Sequence, residues 1–212
     1  MRVVGFPVDV SGIQDPRIVQ GARIRQALLQ ATLDLIQAGD NQPSAMAIAA
    51  IAGVNRQDLF RFYQSLDDLY AAAFDLAVSR TFDQAGPVDC DASLSNRIEL
   101  LVSDRAQLFE EWLPVWHFAE RLACAAPAVG ARVGALRKLL RDRLADWFAA
   151  ELDPLEPPVR NAVLDSLDAA FGLDSWLKLR QRLRLSAGRA SQTWRFAAQS
   201  MALQALAHVP AA

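Results

Sequence analysis

Three features of this chain predict an all-α fold of about nine helices. Apolar residues recur at intervals of three and four over most of the sequence, the spacing that gathers them on one face of a helix. No segment alternates apolar and polar residues as a half-buried strand does, and no repeat is visible. The stretch Ser44–Leu69 (SAMAIAAIAGVNRQDLFRFYQSLDDL) carries two short helical patterns that meet at Gly53, the sequence form of a helix-turn-helix.

Taken in order, residues 1–16 read as a flexible arm, because Gly5, Pro7, Gly12 and Pro16 interrupt any helix. A first helix is expected over 17–38, with Ile24, Ala27, Leu28, Ala31 and Leu35 on one face and Gly39-Asp40 at its end. Ser44 can cap a second helix over 44–51. Gly53 supplies the positive φ of a tight turn, and Val54 pins that turn to the core. Asn55 can cap a third helix over 56–62, with Asp58 as its reciprocal partner. Ser65 and Asp68 read as the capping box of a fourth helix, which runs to about Phe82. Gly86-Pro87 marks a boundary inside a loop over 83–92.

Helices are then expected over 94–111 and over 113–124, with Pro114 in the first turn of the latter. Pro127 opens a helix to about 152, whose stripe is Val129, Val133, Leu136, Leu140, Leu144 and Trp147. The break DPLEPP at 153–158 precedes a helix over 158–180 that buries Val163, Leu167, Ala170 and Phe171. Ser186 caps the last helix, with Trp194, Ala197, Ala198, Met201 and Ala205 as its stripe.

The totals narrow the function. Apolar residues make up 52% of the 212, enough for a sizeable core, and the net charge of −2 gives no global pull towards nucleic acid or acidic membrane. The longest uncharged runs contain Gln, Ser, Asn or His and fall short of a membrane span. The opening residues lack the apolar run and cleavage site of a signal peptide. Cys90 and Cys124 stand far apart without metal-ligand spacing, as reduced structural thiols would. A cytoplasmic protein is therefore expected. Enzymatic chemistry finds no support: there is no Gly-rich phosphate loop, no G-x-S-x-G and no paired histidines. Glu110 and Glu111 are neighbours on a helix, point about 100° apart and read as a solvated edge. No catalytic residue, metal site or cofactor is expected.

The motif around Gly53 carries a family resemblance. Ile48, Ala49, Ala52, Gly53 and Val54 read I-A-x-x-A-G-V, followed by a capped short helix ending in two aromatics, and this resembles the TetR family of bacterial repressors. That family continues with Leu-Tyr-x-x-Phe and Ser-Lys-x-x-Leu. Here the residues are Leu59, Phe60, Tyr63, then Ser65, Leu66 and Leu69. The tract Asp174–Arg180, Leu185-Ser186 and Trp194-Arg195 is similar to the last two helices of many members, with Arg184 where a Gly is common. The resemblance implies a helix-turn-helix DNA-binding domain over 17–64 and a ligand-binding and dimerisation domain over 65–212. It implies a homodimer through the last two helices, a near-palindromic operator on double-stranded DNA and release by a small effector.

Candidate DNA contacts are Ser44, Asn55, Arg56, Gln57, Arg61 and Tyr63, with Arg suited to guanine and Gln to adenine. Arg56 and Arg61 are the only cations between Asp40 and Tyr70, against Asp40, Asp58, Asp67 and Asp68. Phe60 lacks the hydroxyl, and Leu66 the ammonium, that the resemblance places on phosphates, so weaker binding with a shallower salt slope is expected. The effector site implied by the resemblance gathers Trp112, Trp116, Trp147, Phe171 and Trp176 around Arg105, His117 and Arg121. A largely apolar lining with a few polar anchors suits a small hydrophobic or aromatic effector. The alternative is a protein of the same fold that carries a lipid or other hydrophobic ligand and has lost DNA binding.

Overall fold

The computed structural model describes residues 16–84 and 92–206, and every regular element among them is helical. The expected arm before Pro16, the Gly86-Pro87 boundary and Cys90 lie outside the described residues. The chain divides into two compact units, residues 1–85 with 112–135, and residues 86–111 with 136–212.

In the first unit α1 (Pro16–Gln37) buries Leu28, Ala31, Leu33 and Ile36, and it packs on α2 (Ala45–Ala52) and α4 (Leu66–Gln84). Pro16 starts this helix instead of blocking it, since the first helical position needs no N–H. Ser44 Oγ accepts from the Ala47 N–H at 3.1 Å and caps α2. Gly53 has φ 68°, and the turn closes with Gly53 N–H donating to the Ala50 carbonyl and Val54 N–H to the Ala49 carbonyl. Those two bonds satisfy the carbonyls that end α2. Asn55 Oδ1 accepts from the Asp58 N–H at 2.8 Å and caps α3 (Arg56–Phe62). The Asp58 carboxylate does not return the bond; it takes Arg61 Nη1 at 3.3 Å instead.

The start of α4 is tied down by Ser65, whose Oγ accepts from Asp68 N–H and donates to the Asp68 carboxylate. Tyr70 Oη donates to the Pro43 carbonyl at 2.6 Å and fixes α4 to the entry of α2. Its ring meets Phe118 edge-on, as Phe74 meets Trp112, geometries that aromatic quadrupoles favour.

The helices expected over 94–111 and 113–124 are one, the 30-residue α5 (Leu94–Ala123), with Pro114 inside it. An internal proline costs about 3 kcal/mol. Here Trp112, Val115, Trp116, Phe118 and Ala119 are all buried around it, and that burial outweighs the lost backbone bond. The following turn is tight: a Cβ on Gly130 would lie 2.6 Å from the Ala123 carbonyl oxygen. In α6 (Pro127–Trp147) the whole expected stripe from Val129 to Trp147 is buried.

Two helices of the second unit end earlier than periodicity predicts. α6 stops at Trp147 and a short α7 (Ala149–Leu152) follows. The Trp147 carbonyl accepts from Arg97 Nη1, and Glu151 turns inward to the same guanidinium. The helix expected over 158–180 breaks at Gly172 into α8 (Pro157–Phe171) and α9 (Leu173–Leu177). Arg105 Nη1 takes the Phe171 carbonyl at 2.7 Å, and Gly172, a poor helix former, goes extended at ψ 160°. α9 runs into a π-helical turn (Lys178–Arg182), and α10 (Ala187–Leu206) is capped by Ser186, whose Oγ accepts from Arg189 N–H. Trp194 of α10 is buried against Phe109 and Phe171, which it meets edge-on, and Trp176, which it meets at a tilt.

Arg184, just before that cap, has φ 52°. A left-handed L-residue costs about 1–2 kcal/mol, and a glycine returns about half of the relief as unfolded-chain entropy. Arg184→Gly is therefore expected to stabilise the protein by about 0.5–1 kcal/mol, read as a higher urea midpoint at unchanged slope.

Candidate functional site

The helix-turn-helix exposes a defined set of polar groups. Ser44, Asn55, Arg56, Gln57 and Arg61 are all exposed. Ser44 and Asn55 use their side-chain oxygens as caps, which leaves Arg56, Gln57 and Arg61 as the outward groups of α3. The Arg56 guanidinium sits 5.6 Å from the centre of the Phe60 ring. Arg61 is held by Asp58, with its side chain 77% exposed. Arg25 of α1 lies 5.7 Å from the centre of the Phe62 ring and so adds a cation beside α3. The reading of Ser44–Leu69 missed Arg25 because it lies on another helix, and only the packing of the unit brings the two together. The outer face of α2 is apolar: Met46 is 76% and Ile51 54% exposed.

Tyr63 is placed differently from the expectation that its hydroxyl faces DNA. It is buried, with no hydrogen-bond partner for Oη. Burial pushes the phenol up to about 12, partly opposed by the charge of Arg25. Here Phe60 faces solvent and Tyr63 faces the core. An unpartnered buried hydroxyl costs about 1–3 kcal/mol. Tyr63→Phe is thus expected to raise thermal stability by a few degrees (about 2–4 °C per kcal/mol for a chain of this size) and to leave DNA binding unchanged. Loss of stability, or loss of binding, would show that the hydroxyl has a partner.

The eight expected effector-site residues fall four to each unit. Trp112, Trp116, His117 and Arg121 belong to the first. The two tryptophans are buried, with Trp112 Nε1 donating to Thr81 Oγ1 at 2.8 Å. His117 and Arg121 are exposed, and Arg121 donates to the carbonyls of His117 and Asn41. Arg105, Trp147, Phe171 and Trp176 belong to the second unit, and all four are buried. Arg105 spends its donors on the Phe171 and Leu140 carbonyls, and burial lowers its pKa to about 10. Trp176 Nε1 donates to Glu110. These contacts are those of core residues.

Two polar clusters of the second unit were not foreseen. Arg97 donates to Glu151 at 3.0 and 2.5 Å, to the Trp147 carbonyl and to the Ala92 carbonyl, with both partners' side chains only 6% exposed. Glu110 is no solvated edge: Arg180 holds it at 2.6 and 3.1 Å beside Trp176 Nε1. The Arg180 hydrogen bond keeps the Glu110 carboxyl below the usual range. A signal for the first cluster was available, because Arg97 and Arg105 fall on the stripe of Ile98, Leu101, Val102 and Phe109, where a cation has to be paired or bonded.

On the outside of the second unit lies a largely apolar groove of about 410 Å³, between Pro158, Val159, Ala162 and Val163 of α8 and Met201 and Gln204 of α10. Phe196 and Leu203 of α10 are 74% and 64% exposed. Cys124 is a free, exposed thiol and plays no part in the core. Among the described residues no helix is long and apolar enough to cross a membrane.

No family model matches the sequence, and no curated protein matches it. Among solved structures, a transcriptional regulator from Rhodococcus sp. Rha1 aligns over 87% of this chain and 96% of its own, with a TM-score of 0.65 and 14% identity. The chain therefore shares the fold of that protein, and its own α2 and α3 form a doubly capped helix-turn-helix.

Proposed function

We propose that this protein is a TetR-like, ligand-responsive transcriptional regulator that binds a near-palindromic operator as a homodimer in the cytoplasm. The observation that carries the reading is α3 itself, capped at Asn55, set on the left-handed Gly53 and presenting Arg56, Gln57 and Arg61 outward. Those are the side-chain types that read guanine and adenine in a major groove. The dimer is supported by the apolar groove of α8 and α10, while exposed Phe196 and Leu203 add further apolar surface on α10, and extensive exposed apolar surface marks association. A two-fold dimer repeats the head, so half-sites are expected about one helical turn apart or a multiple of it. A small apolar effector acts by binding the DNA-incompetent state more tightly, which makes the dimer a repressor released by its ligand.

The test is selection from a randomised duplex pool at low salt. Enrichment of a near-palindrome bound by two chains is expected. No enrichment by folded protein would contradict the reading. It would favour a second one, supported by the apolar outer face of α2 and by Phe60: a regulator fold retained as a carrier of a hydrophobic ligand. Mass spectrometry of lipid that co-purifies with the protein then decides.

A further inference from the structure

We propose that Phe60 positions Arg56, and that the guanidinium so held reads the O6 and N7 edge of one guanine in each half-site. The proposal rests on the DNA-binding reading above and adds the residue that sets its specificity.

Phe60 is not a core residue. Leu59 beside it is fully buried and Tyr63 is 8% exposed, whereas Phe60 is 40% exposed. Residues four apart are neighbours on a helix surface, and Arg56 lies over this ring at 5.6 Å. An arginine on an aromatic face uses its π surface and keeps its in-plane N–H donors free. A guanidinium so held keeps its donor edge available for the bidentate contact that guanine offers.

Arg61 shows the contrast on the same helix. Its Nη1 already donates to the Asp58 carboxylate at 3.3 Å, and Asp58 is itself fixed next to the cap by its N–H bond to Asn55. The carboxylate takes one donor of the Arg61 guanidinium and part of its charge, whereas a ring partner takes none of the in-plane donors. The two arginines of α3 are thus disposed differently: Arg56 is oriented with its donors open, and Arg61 is partly neutralised and suited to a phosphate.

The test uses the full chain and the duplex enriched by the wild-type protein. Guanines of that duplex are replaced one at a time by 7-deazaguanine, which removes the N7 acceptor, and binding is followed by fluorescence anisotropy. For the wild type, one guanine per half-site is expected to carry a penalty of about five- to a hundredfold. Arg56→Ala should abolish that penalty. Phe60→Leu should weaken binding to the unmodified duplex about two- to fivefold and shrink the penalty by a similar factor. Phe60→Tyr, which keeps the ring, should retain the full penalty. All variants change exposed side chains, and circular dichroism verifies their fold.

A Phe60→Leu protein that keeps the wild-type penalty would overturn the proposal. So would an enriched duplex in which no guanine is sensitive, or in which sensitivity survives Arg56→Ala; in both cases the DNA-binding reading stands. Failure of the wild-type protein to enrich any duplex is a distinct result that removes the DNA-binding reading, and the proposal with it.

Discussion

Glu151→Leu is expected to destabilise the protein by about 3–5 kcal/mol, the cost of leaving a buried charge without its partner. Arg97 and Glu151 are both shielded from solvent, and the carboxylate takes two of the guanidinium's hydrogen bonds. Leucine fills most of the vacated volume, so the loss reports the stranded cation more than a cavity. The remaining bonds of Arg97, to the Trp147 and Ala92 carbonyls, do not neutralise it. Arg97→Met on top of Glu151→Leu removes the charge as well and is expected to bring stability back to within about 2 kcal/mol of the parent, since two apolar side chains pay no desolvation. Urea unfolding of the four proteins of this cycle gives the coupling directly. A single variant that loses less than about 1 kcal/mol would mean that the pair is solvated.

Arg56→Ala is expected to have the largest effect on DNA binding and almost none on stability. A bidentate arginine–guanine contact is worth about 1–3 kcal/mol. In the proposed dimer it is lost twice, which lowers affinity by a factor between about thirty and about ten thousand. The side chain is exposed, and such substitutions change stability by about 0.5 kcal/mol or less. Arg61→Ala should cost less, about tenfold or below, because Asp58 already neutralises part of that charge. Anisotropy titrations of the selected duplex measure both. Equal losses for the two variants would contradict the different roles assigned to them.

Local chemistry made much of this fold legible. The caps at Ser44 and Asn55, the left-handed Gly53 and the stripe from Val129 to Trp147 are written in short-range spacing, and each stands where the spacing puts it. Boundaries failed where a distant side chain decides them. α6 ends because Arg97, 50 positions away, takes the Trp147 carbonyl. α8 ends because Arg105, 66 positions away, takes that of Phe171. α5 runs through Pro114 because aromatic burial outweighs a proline.

The candidate site divides in the same way. Outward residues of a short capped helix can be read from the sequence, and Arg56, Gln57 and Arg61 are where they were expected. Which of two aromatics three positions apart faces the core depends on the packing of the unit. Phe60 and Tyr63 keep the outward and inward positions that the resemblance implies, and only the expectation that the Tyr63 hydroxyl reaches DNA fails. The resemblance makes Arg105, Trp112 and Trp176 part of an effector lining, whereas each is committed to internal hydrogen bonds that periodicity does not reveal.

Sequence-specific reading by the helix-turn-helix is measured most directly by comparing two duplexes. Anisotropy of the selected duplex and of a scrambled duplex of equal length, titrated with salt from low to physiological, separates sequence reading from phosphate attraction. A preference for the selected duplex of at least about a thousandfold is expected, with two chains per duplex and a shallow salt slope from the few cations on α3. Equal affinity for the two duplexes, or binding that disappears with salt for both alike, would contradict it.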